Sequence, residues 1–424
     1  MQFFTAVFAA IALAAPVFAG PAPLRAVEKF GGKTSGKYIV KLKEGVTKSK
    51  VFAQLKNSKV THDWSVIHGF AGHLSDDAVN ALRASPDVEY IAEDGIVTTF
   101  ATQTNAPWGL SRISQKAKLA NQNANALTFS YTYDNSAGSG VDVYVVGEYP
   151  ISLTCMTSLT RAAVQILVSL MLFYFWQKPD FRCAPQGVYT AHSTFGGRAR
   201  WGATFGGYPD ADGNGHGTHV AGTVGGSQYG VAKAVSIIAV KVLGDDGSGS
   251  VTDIVDGLQW VSSAAAASGR PSIATLSLGG GASVPLDNAV TSLVNKGIHV
   301  TVAAGNDNVD AKNTSPARAA GVITVGASTI ADARASFSNY GSVVDVFAPG
   351  LNVISSWIGS TTATNQISGT SMATPHVAGL VAYLVGKNGN SSPASITALL
   401  KSLSVKSILT GVPSGTANNL VQNA

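Results

Sequence analysis

Cysteine is nearly missing from this chain: Cys155 and Cys183 are the only two in 424 residues. A disulfide-framed scaffold is therefore excluded, and stability has to come from a buried core. Charge is also scarce, at 12% of residues, and no run of five or more Lys or Arg occurs. The net charge of +5 is spread over a solvated surface, so no polyanion-binding patch and no nucleic-acid partner is expected. Long apolar runs are lacking too. The N-terminal "MQFFTAVFAAIALAAPVFAG" and the internal "AAVQILVSLMLFYFW", Ala162 to Trp176 and about 15 residues long, both fall short of the roughly 18 residues of a membrane span. What remains is a hydrophobic fraction of 45% with 46 glycines, the composition of a compact globular protein, and a length that suits two domains.

The first apolar segment ends in Val17-Phe18-Ala19, a small-residue pattern that predicts a cleaved secretory signal over residues 1–19 and an extracellular product. From Gly36 to about Val97 the pattern predicts strand, helix, strand, helix, strand: "GKYIVKLK", "TKSKVFAQLK", "THDWSVIHGFAGHLS", "DAVNALRA" and "VEYIAED". Such an alternation suits a small α+β domain of the ferredoxin-like, split βαβ type. A Thr-rich linker with Pro107 follows and places a boundary near Phe100 and Ala101. Beyond it, "VDVYVV", "VSIIAVKVL", "SIATLSL", "IHVTVAAG" and "VITVGAS" read as apolar strands covered on both faces. "SVTDIVDGLQWVSSAAAAS" and "LDNAVTSLVNKG" between them carry helical spacing. The predicted fold is α/β, a doubly wound, mostly parallel sheet whose ligands bind beyond the carboxyl ends of the strands.

Three motifs stand at such ends. "DGNGHGTHVAGTVGG" sets His216 among glycines before a helix, where an imidazole is open to partners and titrates near neutral pH. A zinc pair with His219 lacks a third ligand, and an EF-hand reading of Asp210, Asp212, Asn214 and Gly215 fails because Ala221 stands at the twelfth position. "SGTSMATPHVAGLVAYLVG" puts Ser371 at the start of an apolar helix, where backbone N–H groups and the helix dipole favour negative charge; a plain helix cap describes it equally well. "VTVAAGND" ends a strand in Asn306, an amide able to donate to a developing oxyanion, or to close an Asx turn.

Taken together, "HGTHVAG", "AAGN" and "GTSMATPH" in that order resemble the subtilisin-like serine proteases, and "ATQTNAPWGLSRIS" resembles their proteinase K-like branch. The resemblance covers almost everything from Ala101 onward, with residues 20–100 similar to the family's inhibitory propeptide and 101–424 to its catalytic domain. It implies Ser371 as nucleophile, His216 as general base and acid, and Asn306 with the Ser371 N–H as oxyanion hole. It further implies that "GSGS", with Gly247, Ser248 and Gly249, and "SLGG", with Ser277, Leu278, Gly279 and Gly280, flank a bound peptide as strands and so read backbone rather than sequence. Asp345 matches a calcium-site carboxylate of the family, so structural calcium is implied and no cofactor for catalysis. The implied partners are protein and peptide substrates and the chain's own propeptide; a monomer, secreted and without a membrane anchor, is expected. Asn313 and Asn390 head glycosylation sequons.

One position departs from the family pattern. The family closes its first core strand on an Asp in "VVDTG", and here that position is Gly147, with the pattern resuming at Gly187. Residues 147–186 thus replace an expected Asp and Thr. Asp142 starts the same strand and, at about 3.3 Å per residue, lies more than about 15 Å from its far end. Glu148 is displaced by one residue and would face the wrong way unless the strand bulged; Asp180 lies deep in the insert. A catalytically impaired, peptide-binding pseudoprotease is one consequence. A retained intron is another, since Gly147-Glu148-Tyr149 can be encoded GGTGAGTAY, a donor-like sequence, and Gln186 can end in CAG, an acceptor-like one.

Overall fold

A computed structural model describes residues 24–30, 34–95, 100–135, 138–148 and 187–423. The signal segment, both cysteines and Asp180 lie outside these residues. The chain divides into two compact units, residues 1–97 and 98–424. The division falls a few residues before the expected one because Phe100 already belongs to a strand of the second unit.

The first unit has β1 (Val27–Glu28), β2 (Thr34–Leu42), α1 (Lys48–Phe52), β3 (Lys59–Trp64), β4 (Gly69–His73), α2 (Asp76–Ala84) and β5 (Val88–Gly95). Its sheet runs β1-β5-β2-β4-β3, and leaving out the short β1 this is the strand order of the split βαβ arrangement. The stretch expected as one long strand, "THDWSVIHGFAGHLS", is instead the β3–β4 hairpin, because His68 adopts a φ of 45° and closes the turn on Ser65. Val40, Leu42, Val51, Phe70, Leu82, Val88 and Ile91 form its core. Ser75 caps α2 by accepting from Ala78 N–H.

In the second unit the elements are β6 (Phe100–Ala106), α3 (Trp108–Arg112), β7 (Phe129–Asp134), β8 (Asp142–Glu148), β9 (Ala199–Thr204), α4 (His216–Gly225), β10 (Ser236–Lys241), α5 (Val251–Ser268), β11 (Ser272–Ser277) and β12 (Gly280–Gly281). They continue with α6 (Val284–Asn295), β13 (His299–Ala303), β14 (Thr314–Ser315), β15 (Ile323–Ser328), β16 (Val346–Pro349), β17 (Val353–Ser356), β18 (Thr364–Ile367), α7 (Thr370–Asn388), α8 (Pro393–Leu403), β19 (Val405–Lys406) and β20 (Asn419–Leu420). The main sheet runs β19-β20-β16-β15-β13-β11-β8-β10-β9, and every pairing in it except β19–β20 is parallel.

Two cores cover the two faces. On one, Val143 and Val145 of β8 pack with Val220 and Val224 of α4 and with Val377 and Val381 of α7. On the other, Tyr144 and Val146 pack with Leu258 of α5 and Val290 of α6. Helix α4 is buried along its whole length, and α7 from Thr370 to Val385, which is why both read as apolar all round rather than striped. Strand β8 sits between β10 and β11, where chain order reverses across the sheet, so the crevice beyond its carboxyl end is the expected place for a site.

Candidate active site

Ser371 is the second residue of α7, so its N–H is one of the four that have no acceptor within the helix. The helix places Pro375 one turn further on. Proline has no N–H to give to the carbonyl four residues back, which leaves the Ser371 carbonyl without its helical partner. Ser277, the last residue of β11, donates its hydroxyl to that carbonyl at 2.9 Å. In return the Ser371 hydroxyl donates to the Ser277 carbonyl at 3.3 Å. The nucleophilic candidate is thereby tied to the central sheet through a bond that the sequence of the helix makes necessary.

Asn306 follows β13 across Gly305, whose φ of 103° only glycine holds without strain. Thr370 N–H donates to Asn306 Oδ1 at 2.8 Å and Thr370 Oγ1 donates to the same oxygen at 3.0 Å. With Oδ1 committed to two donors, the Nδ2 hydrogens of Asn306 are the ones left for a ligand. Asn306, Thr370 and Ser371 line a cavity of about 260 Å³ together with Leu278, Gly279 and Gly280. Strand β12 forms one wall, paired with β14 through Gly280–Ser315 and Gly281–Thr314. No atom lies within 4 Å of where a Cβ on Gly280 or Gly281 would stand.

His216 opens α4 and is buried. The loop before it is held by Asp212, whose Oδ1 accepts from the Asn214 and Gly215 N–H groups and whose Oδ2 accepts from Thr218 N–H and Oγ1. Burial raises the Asp212 pKa, with these bonds opposing the rise. Trp357 lies flat against Gly215, where a Cβ would come within 2.4 Å of its ring. His219, one turn into the helix, is not a metal partner of His216. Its Nε2 contacts the Val353 carbonyl at 2.9 Å, and burial lowers its pKa to about 3. Helices α4 and α7, which His216 and Thr370-Ser371 open, pack against each other.

Beyond the carboxyl ends of β11 and β13 there is thus a hydroxyl at a helix N-terminus and an oriented amide donor beside a cleft with an open strand for a wall, and an imidazole opens the helix packed against that of the hydroxyl. Residues 177–420 match the subtilase family of peptidases. The chain is a subtilase. Its residues 56–100 match the peptidase inhibitor I9 family, so the first unit is the subtilase's inhibitor-type propeptide domain. The subtilase is 40% identical over 423 residues to a cuticle-degrading protease of Metarhizium anisopliae, covering 97% of this chain and 96% of that one. It is 42% identical over 419 residues to an alkaline serine protease of Corniculantispora psalliotae, with the same two coverages. A crystal structure of a cold adapted subtilisin-like serine proteinase superposes with a TM-score of 0.60 at 40% identity, over 76% of the subtilase and 99% of that chain.

Two surface segments of the subtilase have local partners that their letters did not announce. Gly247, Ser248 and Gly249 lie in a loop that follows a turn in this ligand-free structure. Asp246 accepts from both the N–H and the hydroxyl of Ser248, which closes an Asx turn, and Ser250 is the cap of α5. Asp345, the carboxylate expected at a calcium site, has two partners from the protein itself. Its Oδ2 accepts from Thr324 N–H at 2.9 Å and its Oδ1 meets the Lys401 ammonium at 2.6 Å. Among the described residues no group of three or more His, Cys, Asp or Glu side chains is placed to hold a metal ion. Two roles were missed. Thr370 orients Asn306, and Ser277, expected only as a peptide-flanking residue, supports the Ser371 carbonyl. Pro375, readable in "TSMATPH", was the signal that a partner for that carbonyl had to exist.

The carboxyl end of β8 is irregular. Thr275 stands in register with Val145, and Ser277 with Glu148, so Val146 and Gly147 oppose Leu276 alone. This is a β-bulge built on a glycine with φ of 45°. A Cβ on Gly147 would lie 2.5 Å from Val242 Cγ2 and 3.2 Å from both Leu243 Cγ and Leu278 Cδ2. It would therefore enter the core shared with α5 and α6, away from α4. Asp142, at the opposite end of the strand, pairs with Arg270 at 3.3 Å.

Proposed function

We propose that this subtilase is a secreted serine endopeptidase of broad specificity, made as a precursor that its own propeptide domain inhibits and that self-cleavage near Phe100 matures. Ser371 Oγ attacks the scissile carbonyl carbon while His216 takes its proton, and His216 then returns that proton to the leaving amine. The carbonyl oxygen, now negative, is held by Asn306 Nδ2 and the Ser371 N–H. The substrate lies along the exposed Gly280–Gly281 strand as an added strand, reading backbone in preference to side chains. The observation that carries this reading is the double commitment of Asn306 Oδ1 to Thr370, which turns the amide donors toward the cavity that Ser371 lines. The test is hydrolysis of a peptide anilide by the secreted protein beside its Ser371→Ala variant. Release of the aniline by the parent and its loss in the variant are expected; equal release from both would sink the assignment.

A second reading concerns the message. The family match begins at residue 177 and leaves β8 outside, as an intron read through in place of the Asp-Thr pair would cause. In subtilisin, a relative, removing the triad aspartate lowers kcat by about 3 × 10⁴, so an insert that displaces it has a large effect. Sequencing cDNA across codons 140–190 decides: Val-Val-Asp-Thr-Gly supports splicing, and retention of residues 147–186 in every transcript excludes it.

A further inference from the structure

The loop that carries Asn306 is wrapped around one buried side chain. Asn339 lies between β15 and β16 and is fully buried. Its Oδ1 accepts from Asp307 N–H at 3.0 Å and from Val309 N–H at 3.1 Å. Its Nδ2 donates to the Ala304 carbonyl at 2.9 Å, and its own backbone N–H donates to the Gly305 carbonyl at 2.9 Å. One residue thus grips the chain immediately before Asn306, at Gly305, and immediately after it, at Asp307. The amide also occupies the space beside Gly305, where a Cβ would stand 2.2 Å from Asn339 Nδ2. Glycine is therefore required there twice, for its positive φ and for this close approach.

Only an amide meets these demands, because one atom has to accept twice and its neighbour has to donate. A carboxylate could accept from Asp307 and Val309, but it would turn a second oxygen toward the Ala304 carbonyl. An apolar side chain would take away the partner of two N–H groups and of one carbonyl.

Thr370 and Asn339 act on different parts of Asn306. Thr370 fixes the rotation of the amide by donating twice to its Oδ1, and its Oγ1 accepts from Gly305 N–H at 3.2 Å. Asn339 fixes the backbone from which that amide projects. It is not among the residues that line the cavity, so its influence on a substrate runs through Asn306.

We propose that Asn339 is a positioning residue for the oxyanion hole, holding the backbone on both sides of Asn306 so that Nδ2 stands ready where negative charge develops. Such a donor contributes most when it is already in place before the charge forms. The proposal rests on Asn306 being the oxyanion donor of a peptidase, so the experiment separates the two. Values of kcat and KM for a peptide anilide are measured on the parent, Asn339→Ala, Asn306→Ala and the double variant, with Ser371→Ala as the blank.

Asn339→Ala is expected to lower kcat by about 10²-fold, the cost of a displacement of about 1 Å in a catalytic group. KM is expected to change little, since the donor acts on charge present only in the transition state. In the Asn306→Ala background the same exchange is expected to leave kcat nearly where it was, because no donor remains to be positioned. If melting shows Asn339→Ala to be unfolded, Asn339→Asp, which keeps both acceptances and loses only the donor, carries the same cycle. Losses of equal size in the two backgrounds are what a merely structural role gives, and they overturn the proposal. A single variant with the parent's kcat overturns it as well, and both results leave the peptidase reading standing. A parent that hydrolyses the anilide no faster than the blank overturns both.

Discussion

The two sides of the active site are built differently. On the α7 side, Ser277, Asn306, Thr370 and Ser371 are linked by mutual hydrogen bonds, and each bond meets a need created by the sequence. The β8 side is held by backbone register with β11, and that register is broken by one glycine. A catalytic apparatus can thus be rigid where donors and acceptors interlock and malleable where a single strand end supplies the residue.

The largest effect is expected on the interlocked side. Asn306→Ala should lower kcat by about 10²- to 10³-fold with KM little changed, because the lost donor acts on charge that exists only in the transition state. Steady-state kinetics on a peptide anilide checks it; a change confined to KM would move Asn306 to the ground-state cleft. Next comes the malleable side. Gly147→Asp, which restores the family residue by letter, is expected to recover no activity, since its Cβ is directed at Val242 and Leu278. It should also cost roughly 1–2 kcal/mol for the left-handed backbone and roughly 1–3 kcal/mol for overpacking, read as a lower urea midpoint. A gain in activity would show that the bulge relaxes.

The smallest effect concerns acid. Burial lowers the pKa of His376, inside α7, from 6.5 to about 4, and that of His219, inside α4, to about 3. Folded-state values below the unfolded ones mean that unfolding takes up protons beneath pH 6.5, so the stability these groups confer is present above 6.5 and is lost as pH falls toward 4. The melting temperature should decline over that window, and His376→Gln should flatten the decline. An unchanged slope would show that His376 does not contribute.

Much of this arrangement was legible in the letters. Apolar runs located the strands, and the glycine-flanked motifs located His216, Asn306 and Ser371, because strand burial and tight approach leave residue-type signatures. The bulge did not, because alternation assigns Gly147 and Glu148 to faces only if register is kept, and register is settled by pairing with β11. The Asx turn at Asp246 and the Lys401 partner of Asp345 were hidden for a related reason. "GSGS" is compatible with both strand and turn, and a carboxylate's partner can lie 56 residues away in sequence, as the Asp345–Lys401 pair does.

Pro375 carries a final consequence. By withholding a donor from the Ser371 carbonyl, it makes the first turn of α7 incomplete until the end of β11 has docked beside it. The setting of the serine is thereby coupled to the end of the central sheet. In a chain whose β11 end is undocked that carbonyl has no such partner, so the setting of the serine reports on the state of the sheet.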